Sequence, residues 1–267
     1  MTIRGHVQTA ERITDSRNVV IGNADAHRKT AVTVGILFII GTVAGILSGL
    51  VTLPLLEDAD YLSRVATNES QIVLGAVMVL VMGFPLAMIP VIMFPIFKRY
   101  SELLALGAVV FRGVLEAVTY IILALGLLLL IPLSREFVNA GNPTASYFQS
   151  LGVLLTELSY WTNHILAIVF TIGAGMLNWL FFKTKLIPNW LALWGLVGAI
   201  LYFVAPIVNM FDPQHLPLSL GVKWGYLMIP LAIQEMVFAL WLIAKGFNPP
   251  AISAQVEIKN SAERQTS

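Results

Sequence analysis

The sequence predicts an all-α, polytopic membrane bundle of six transmembrane helices with both termini cytoplasmic, and three observations carry that expectation. Its 267 residues are 57% hydrophobic and only 12% charged, with a mean hydropathy of +0.81, whereas soluble chains carry roughly 25% charged residues. Six stretches reach the roughly 20 apolar residues that a helix needs to cross the hydrocarbon core. The alternating pattern of a membrane β-barrel is missing, so helices alone can satisfy the backbone in lipid.

The spans are expected at Ala31 to Leu56, Gln71 to Phe97, Leu103 to Leu133, Leu151 to Phe182, Leu186 to Phe211 and Leu218 to Ala244. Residues 1–30 read as a polar cytoplasmic tail, 31–245 as the six-helix domain and 246–267 as a disordered cytoplasmic tail, low in aromatics. The tail before the first span has no apolar run longer than Val19-Val20-Ile21, which excludes a cleaved secretory signal with a hydrophobic core and leaves the first span to direct insertion. Orientation follows from the basic residues, which collect on the cytoplasmic side. Twelve fall on the side of the termini, including Lys98, Arg99, Lys183, Lys185 and Lys245, against Arg64, Arg135 and Lys223 opposite. Trp179, Trp190, Trp194 and Trp241 then lie near the cytoplasmic boundary and Trp224 near the outer one, as interfacial anchors. The expected location is the cell membrane, multi-pass.

Several function classes are excluded at once. A formal charge of +1 gives no basic footprint for nucleic acid, and zero cysteines remove disulfides, thiolate nucleophiles and cysteine-ligated metals. Phosphate-binding glycine loops are absent. His164 is the lone mid-membrane imidazole, too few for bis-histidine haem, and Glu157 and His164 are not spaced as the Glu-x-x-His of di-metal bundles. No cofactor and no metal site is expected, and the expected partners are membrane lipids and a small-molecule ligand.

Within the bundle, Gly41, Gly45 and Gly49 form a small-residue strip in the first span, suited to close packing inside one subunit or to a homo-oligomer interface. Pro85, Pro90 and Pro95 are expected to kink the second span, and Pro206 and Pro230 to bend the last two. Phe97-Lys98 before Leu104 to Gly107 is echoed by Phe182-Lys183 before Leu191 to Gly195. A duplicated helical hairpin would produce that echo, and so would the shared demands of two similar turns.

The informative residues are the ionisable ones within spans: Arg112, Glu116, Glu157, His164 and Glu235. Each charged side chain costs roughly 2.5–3.5 kcal/mol at the centre of an inserted helix, so all should face the interior. Arg112 and Glu116 are four apart on one helix face, in the weaker Arg-before-Glu order, and Arg112 can instead reach Glu235 across the bundle. Glu157, His164, Thr171 and Asn178 recur every seven residues as a polar stripe along the fourth span. One arginine and one histidine offset at most two of three glutamates, so at least one carboxyl should be neutral or in contact with water. Arg112, Glu116, His164 and Glu235 are expected to converge near the centre, with Glu157 at the outer end. Such a cluster can be a structural network, a small-ligand or proton site of a transporter, or the acid and base of an intramembrane enzyme; no nucleophile motif accompanies it, so an enzyme is the least favoured.

The stretch Lys185-Leu186-Ile187-Pro188-Asn189-Trp190-Leu191-Ala192-Leu193-Trp194-Gly195, and Phe94-Pro95-Ile96-Phe97-Lys98 leading to Phe111-Arg112 and Leu115-Glu116-Ala117, resemble the prokaryotic membrane proteins catalogued as domain of unknown function 4386. The resemblance runs from Lys29 to about Lys245. It implies a six-helix protein of a bacterial or archaeal cell membrane, and it implies no activity, substrate or catalytic residue.

Overall fold

The computed structural model describes residues 3–140, 145–218 and 222–248, with residues 3–24 and 145 as backbone only. The elements are α1 (Ile3–Leu56), α2 (Tyr61–Thr67), α3 (Glu69–Phe97), α4 (Glu102–Ala108), a π-helical turn (Val109–Leu115), α5 (Glu116–Ala140), α6 (Ala145–Thr184), α7 (Asn189–Met210), a 3-10 helix (Lys223–Met228) and α8 (Ile229–Ala244). Six segments are long and apolar enough to cross a membrane, the third of them running unbroken from Glu102 to Ala140 through the π-helical turn.

Helix bounds depart from the sequence expectation where a polar residue continues a helix that lipid does not require. α1 begins at Ile3, well ahead of the apolar run at Ala31, and α5 continues through Pro132 to Ala140. The sixth span starts later than Leu218, at the 3-10 helix from Lys223, and Pro230 occupies the first turn of α8, where its missing N–H costs nothing, rather than bending the helix. α3 is continuous through Pro85, Pro90 and Pro95. The tail from residue 249, expected to be disordered, lies outside the described residues.

Each spanning segment packs on the next in chain order, α1 on α3, α3 on α5, α5 on α6, α6 on α7 and α7 on α8, and α8 closes back onto α1. The six spans therefore form a ring about a common axis. The outer surface is as apolar as the interior, with Leu50, Phe84, Val114, Ile165, Ile200 and Leu240 exposed, as lipid-facing positions require and water-facing ones do not.

Interfaces inside the ring depend on glycine. A Cβ on Gly41 would lie 2.6 Å from Leu86, and one on Gly45 2.5 Å from Met82, both of α3; these two positions of the small-residue strip are used within the chain. A Cβ on Gly173 of α6 would meet the Arg112 backbone N at 2.8 Å and its Cβ at 2.7 Å, so α6 reaches the π-helical turn only because that side chain is absent.

One end of the ring, the basic end, carries Lys98, Arg99, Lys183, Lys185 and Lys245; the other, distal, carries α2 and residues 211–218. At the basic end Gly246, in left-handed backbone at φ +73°, ends α8. Arg28 donates to the freed carbonyls of Leu242 (3.2 Å) and Ile243 (2.7 Å), and Asn248 donates to Leu186 and Lys185 carbonyls in the α6–α7 turn.

Candidate functional site

Arg112 is the largest fully buried side chain described, and it is brought to the ring axis by the π-helical turn, in which Glu116 N–H donates to Phe111 five residues back rather than four. Such turns mark functional sites more often than ordinary helix does. Counting about 1.5 Å per residue from Glu102 and from Ala244, Arg112 and Glu235 each lie about 14–15 Å from the basic end, roughly half the ~30 Å thickness of a hydrocarbon core.

Arg112 Nη2 donates to Glu235 Oε1 at 2.7 Å, while Nη1 stands 3.7 Å from Glu116 Oε2. The cross-bundle partner wins over the helix neighbour, in keeping with the unfavourable Arg-before-Glu order. The guanidinium packs against two rings, with its centre 4.4 Å from the Phe170 centroid and 5.4 Å from that of Phe38, contacts that stabilise a desolvated cation. Tyr120, one turn beyond Glu116, donates its hydroxyl to Glu116 Oε1 at 3.1 Å.

The cluster is incompletely paired. Arg112 Nε and Nη1 and Glu116 Oε2 are buried without a hydrogen-bond partner, as is Gln234 Oε1 next door. A small cavity of about 10 Å³, lined by Arg112, Gln234 and Asn178 among others, lies beside these atoms, about the room of one water molecule. Gln234 also donates to Asn178 Oδ1 (3.3 Å) and to the Leu191 carbonyl (3.2 Å), extending the polar track toward the basic end.

On the distal side of the cluster lies a partly open cavity of about 280 Å³ to which all six spans contribute. Its polar lining is Thr42, Asn163, Tyr120, Tyr202 and Glu235; the rest is apolar, and Leu218 of the distal segment lies at its far end. Arg112 and Glu116 do not line it. Glu235 retains 16% exposure of its side chain against 1% for Arg112 and Glu116, so Glu235 is the ionisable floor. Toward the basic end the axis is filled by edge-to-face rings: Phe38 on Phe238 (5.4 Å), Phe238 on Phe181 (4.9 Å) and Phe181 on Phe97 (5.0 Å).

His164 does not join this cluster, which corrects the expected four-residue centre; Glu157 lies toward the distal end, away from the centre, as expected. His164 lies nine residues from Gly173, about 13 Å along α6, and meets distal partners. Its Nδ1 donates to the Tyr160 carbonyl at 2.8 Å, and its Nε2 accepts from Asn209 Nδ2 at 2.8 Å. The same Asn209 nitrogen donates to the Leu216 carbonyl at 2.9 Å, which fixes the amide orientation and makes His164 the neutral Nδ1–H form. Glu157 accepts from His215 at 3.0 Å, and His215 stacks on Tyr160 with centroids 4.1 Å apart. Asp212 binds Lys223 Nζ (2.5 Å) and Trp224 Nε1 (2.7 Å). Hydrogen bonds from Lys223, from the Gln214 backbone N–H and from Trp224 hold its carboxyl down at about 2. These contacts tie residues 212–216 to α6 and α7 beside the cavity end.

Sequence reasoning missed Tyr120, Tyr202, Phe38, Phe170 and Asn209. Tyr120 had a signal, standing four residues after Glu116; the phenylalanines had none among so many apolar neighbours.

A family model described as domain of unknown function (DUF4386) matches residues 33–246. The chain belongs to the DUF4386 family. The match covers five of the six spans in full, most of the first, and every residue of the Arg112 cluster. No curated protein and no solved structure matches the chain. The family thus confirms the resemblance drawn from the two motifs, and with six apolar helices it makes this a multi-pass membrane protein of the DUF4386 family.

Proposed function

We propose that this DUF4386 protein binds a small molecule inside the membrane, in the axial cavity, with Glu235 as the polar contact at its floor. The observation that carries this reading is the cavity itself, which ends on a carboxylate belonging to an incompletely paired cluster. A purely structural network would be dry and fully paired, because each orphaned buried polar atom costs free energy without return. At about 280 Å³ the space is nearly twice an engineered cavity of about 150 Å³ that takes up benzene. A mostly apolar wall with a few convergent polar groups is the ordinary make-up of a ligand site.

A carrier reading is favoured by one further observation. The cavity lies on one side of the Arg112 cluster and the phenylalanine stack fills the other, as in a site open to one face at a time. By orientation of the basic residues, the cavity side would be the non-cytoplasmic one.

The test is native mass spectrometry of the protein purified in mild detergent, comparing wild type with Glu235→Gln and with Ala232→Phe, which projects a ring into the cavity. A small molecule retained by wild type and lost from both variants, with Ala232→Phe, which leaves the Arg112–Glu235 pair intact, melting as wild type does, is the expected result. If the retained species are the same in all three while the variants melt earlier, the cluster is a scaffold and the binding reading fails.

A further inference from the structure

The charge and exposure of the cavity floor narrow the ligand class. We infer that the axial cavity takes a small lipophilic amine in its ammonium form, a single positive head on an apolar body, with the head on Glu235. This rests on the binding reading above and specifies it.

The order in which ionisable groups meet the cavity sets the sign. Glu235 alone among the charged residues lines it, and Arg112 is fully buried and packed against the Phe38 and Phe170 rings. An anion would meet a carboxylate before any guanidinium. Glu235 gives Oε1 to Arg112 and has no protein partner for Oε2 among the described residues, so one lone-pair-bearing oxygen is left for an incoming donor. With both carboxylates ionised the floor holds one arginine against two glutamates, and a single positive charge then brings the site to neutrality, the condition under which buried charges cost least.

The remaining polar groups suit an ammonium head. The Tyr202 hydroxyl, also lining the cavity, makes no hydrogen bond among the described residues, and its ring packs edge-on against Phe170 at 5.1 Å. It offers an accepting oxygen and an aromatic face, both attractive to an N–H⁺ group. An inorganic cation is disfavoured: Ca²⁺ and Mg²⁺ require six or more oxygens, whereas Met82, Leu86, Leu166, Phe170, Met228 and Ala232 make most of the wall apolar. That wall matches an organic body instead.

The experiment compares three probes of equal shape, 2-phenylethylamine, 2-phenylethanol and phenylacetate, by equilibrium dialysis at pH 7 against wild type and Glu235→Gln in detergent. The amine should bind wild type at least about ten-fold more tightly than the alcohol, phenylacetate should not bind, and Glu235→Gln should bring the amine to the level of the alcohol. Equal binding of amine and alcohol to wild type overturns the ammonium class and leaves the small-molecule site standing. Preferential binding of phenylacetate overturns it in favour of an anion held by Arg112. An amine preference that survives in Glu235→Gln overturns the assignment of the head group to Glu235. Failure of all three probes to bind overturns both this inference and the reading beneath it.

Discussion

Replacing Arg112 and replacing Glu116 should have very unequal costs, although both are fully buried members of one cluster. Arg112→Met removes the only cation between Glu235 at 2.7 Å and Glu116 at 3.7 Å and leaves two carboxyl groups in a site otherwise walled by Phe38 and Phe170. Breaking a buried ion pair from one side costs about 3–5 kcal/mol. Glu116→Gln leaves Arg112 and Glu235 as a matched pair. Its amide oxygen can still accept from Tyr120, so the loss is the difference between a hydrogen bond to a charged acceptor, about 1.5–3 kcal/mol, and one to a neutral acceptor, about 0.5–1.5 kcal/mol. Relief of repulsion between the two carboxylates offsets part of that, so about 1 kcal/mol is the expected cost. The gap of at least about 2 kcal/mol is at least about a 30-fold difference in the unfolding equilibrium. Titration with a denaturing detergent in mixed micelles, followed by near-UV circular dichroism and by tryptophan fluorescence to check two-state behaviour, measures both. Equal costs for the two variants, or Arg112→Met tolerated within about 1 kcal/mol, would refute the charge inventory drawn from this geometry.

Two further outcomes follow from local contacts. Gly173→Ala should destabilise by about 1–3 kcal/mol because its methyl would press on Arg112 backbone atoms that cannot move aside. Gly175→Ala, two residues along α6 with nothing within 4 Å of the added methyl, should be neutral or stabilise by up to about 1 kcal/mol through helix propensity; the same detergent titration separates them, and similar losses in both would contradict the packing described. At the distal end, the Asp212 carboxyl is depressed to about 2 from 3.8. A depressed acid contributes its stability in full above its unfolded value and loses it as the pH falls through the folded one. The Trp224 fluorescence, obtained as wild type minus Trp224→Phe, should therefore be flat from pH 8 to about 4 and change between about pH 4 and 2. A transition centred near pH 6 would show that the distal contacts are held by a different group.

The six spans and the Arg112–Glu235 pair were legible in the sequence because lipid enforces both: about 20 apolar residues per crossing, and no charge left facing hydrocarbon. The polar stripe on α6 was legible as a face and illegible as a height. Glu157, His164, Thr171 and Asn178 do share one side of the helix, but 21 residues span about 31 Å, and each finds a partner at its own level: His215 for Glu157, Asn209 for His164, the Ala167 carbonyl for Thr171, Gln234 for Asn178. Periodicity fixes an azimuth and says nothing about which neighbours stand at that depth. The aromatic clamp on Arg112 was hidden for another reason. Phe38 and Phe170 look like any other apolar residue of a membrane helix until α1 and α6 are placed around the guanidinium, and Gly173, which lets α6 come that close, carries no chemical mark at all.

The wide turn at Val109–Leu115 gives the third crossing one residue more than a regular α-helical ladder would hold. A surplus of this kind need not stay where it is: each N–H in the stretch can exchange one carbonyl for the adjacent one, passing the excess along the thread while every other rung stays closed. Since one residue corresponds to about 100° of helical rotation, such slippage would swing Arg112 around the axis relative to α8 with the ends of the crossing held fixed. A rotation of Arg112 by this route would be a matter of residue count, carried within an unbroken rod.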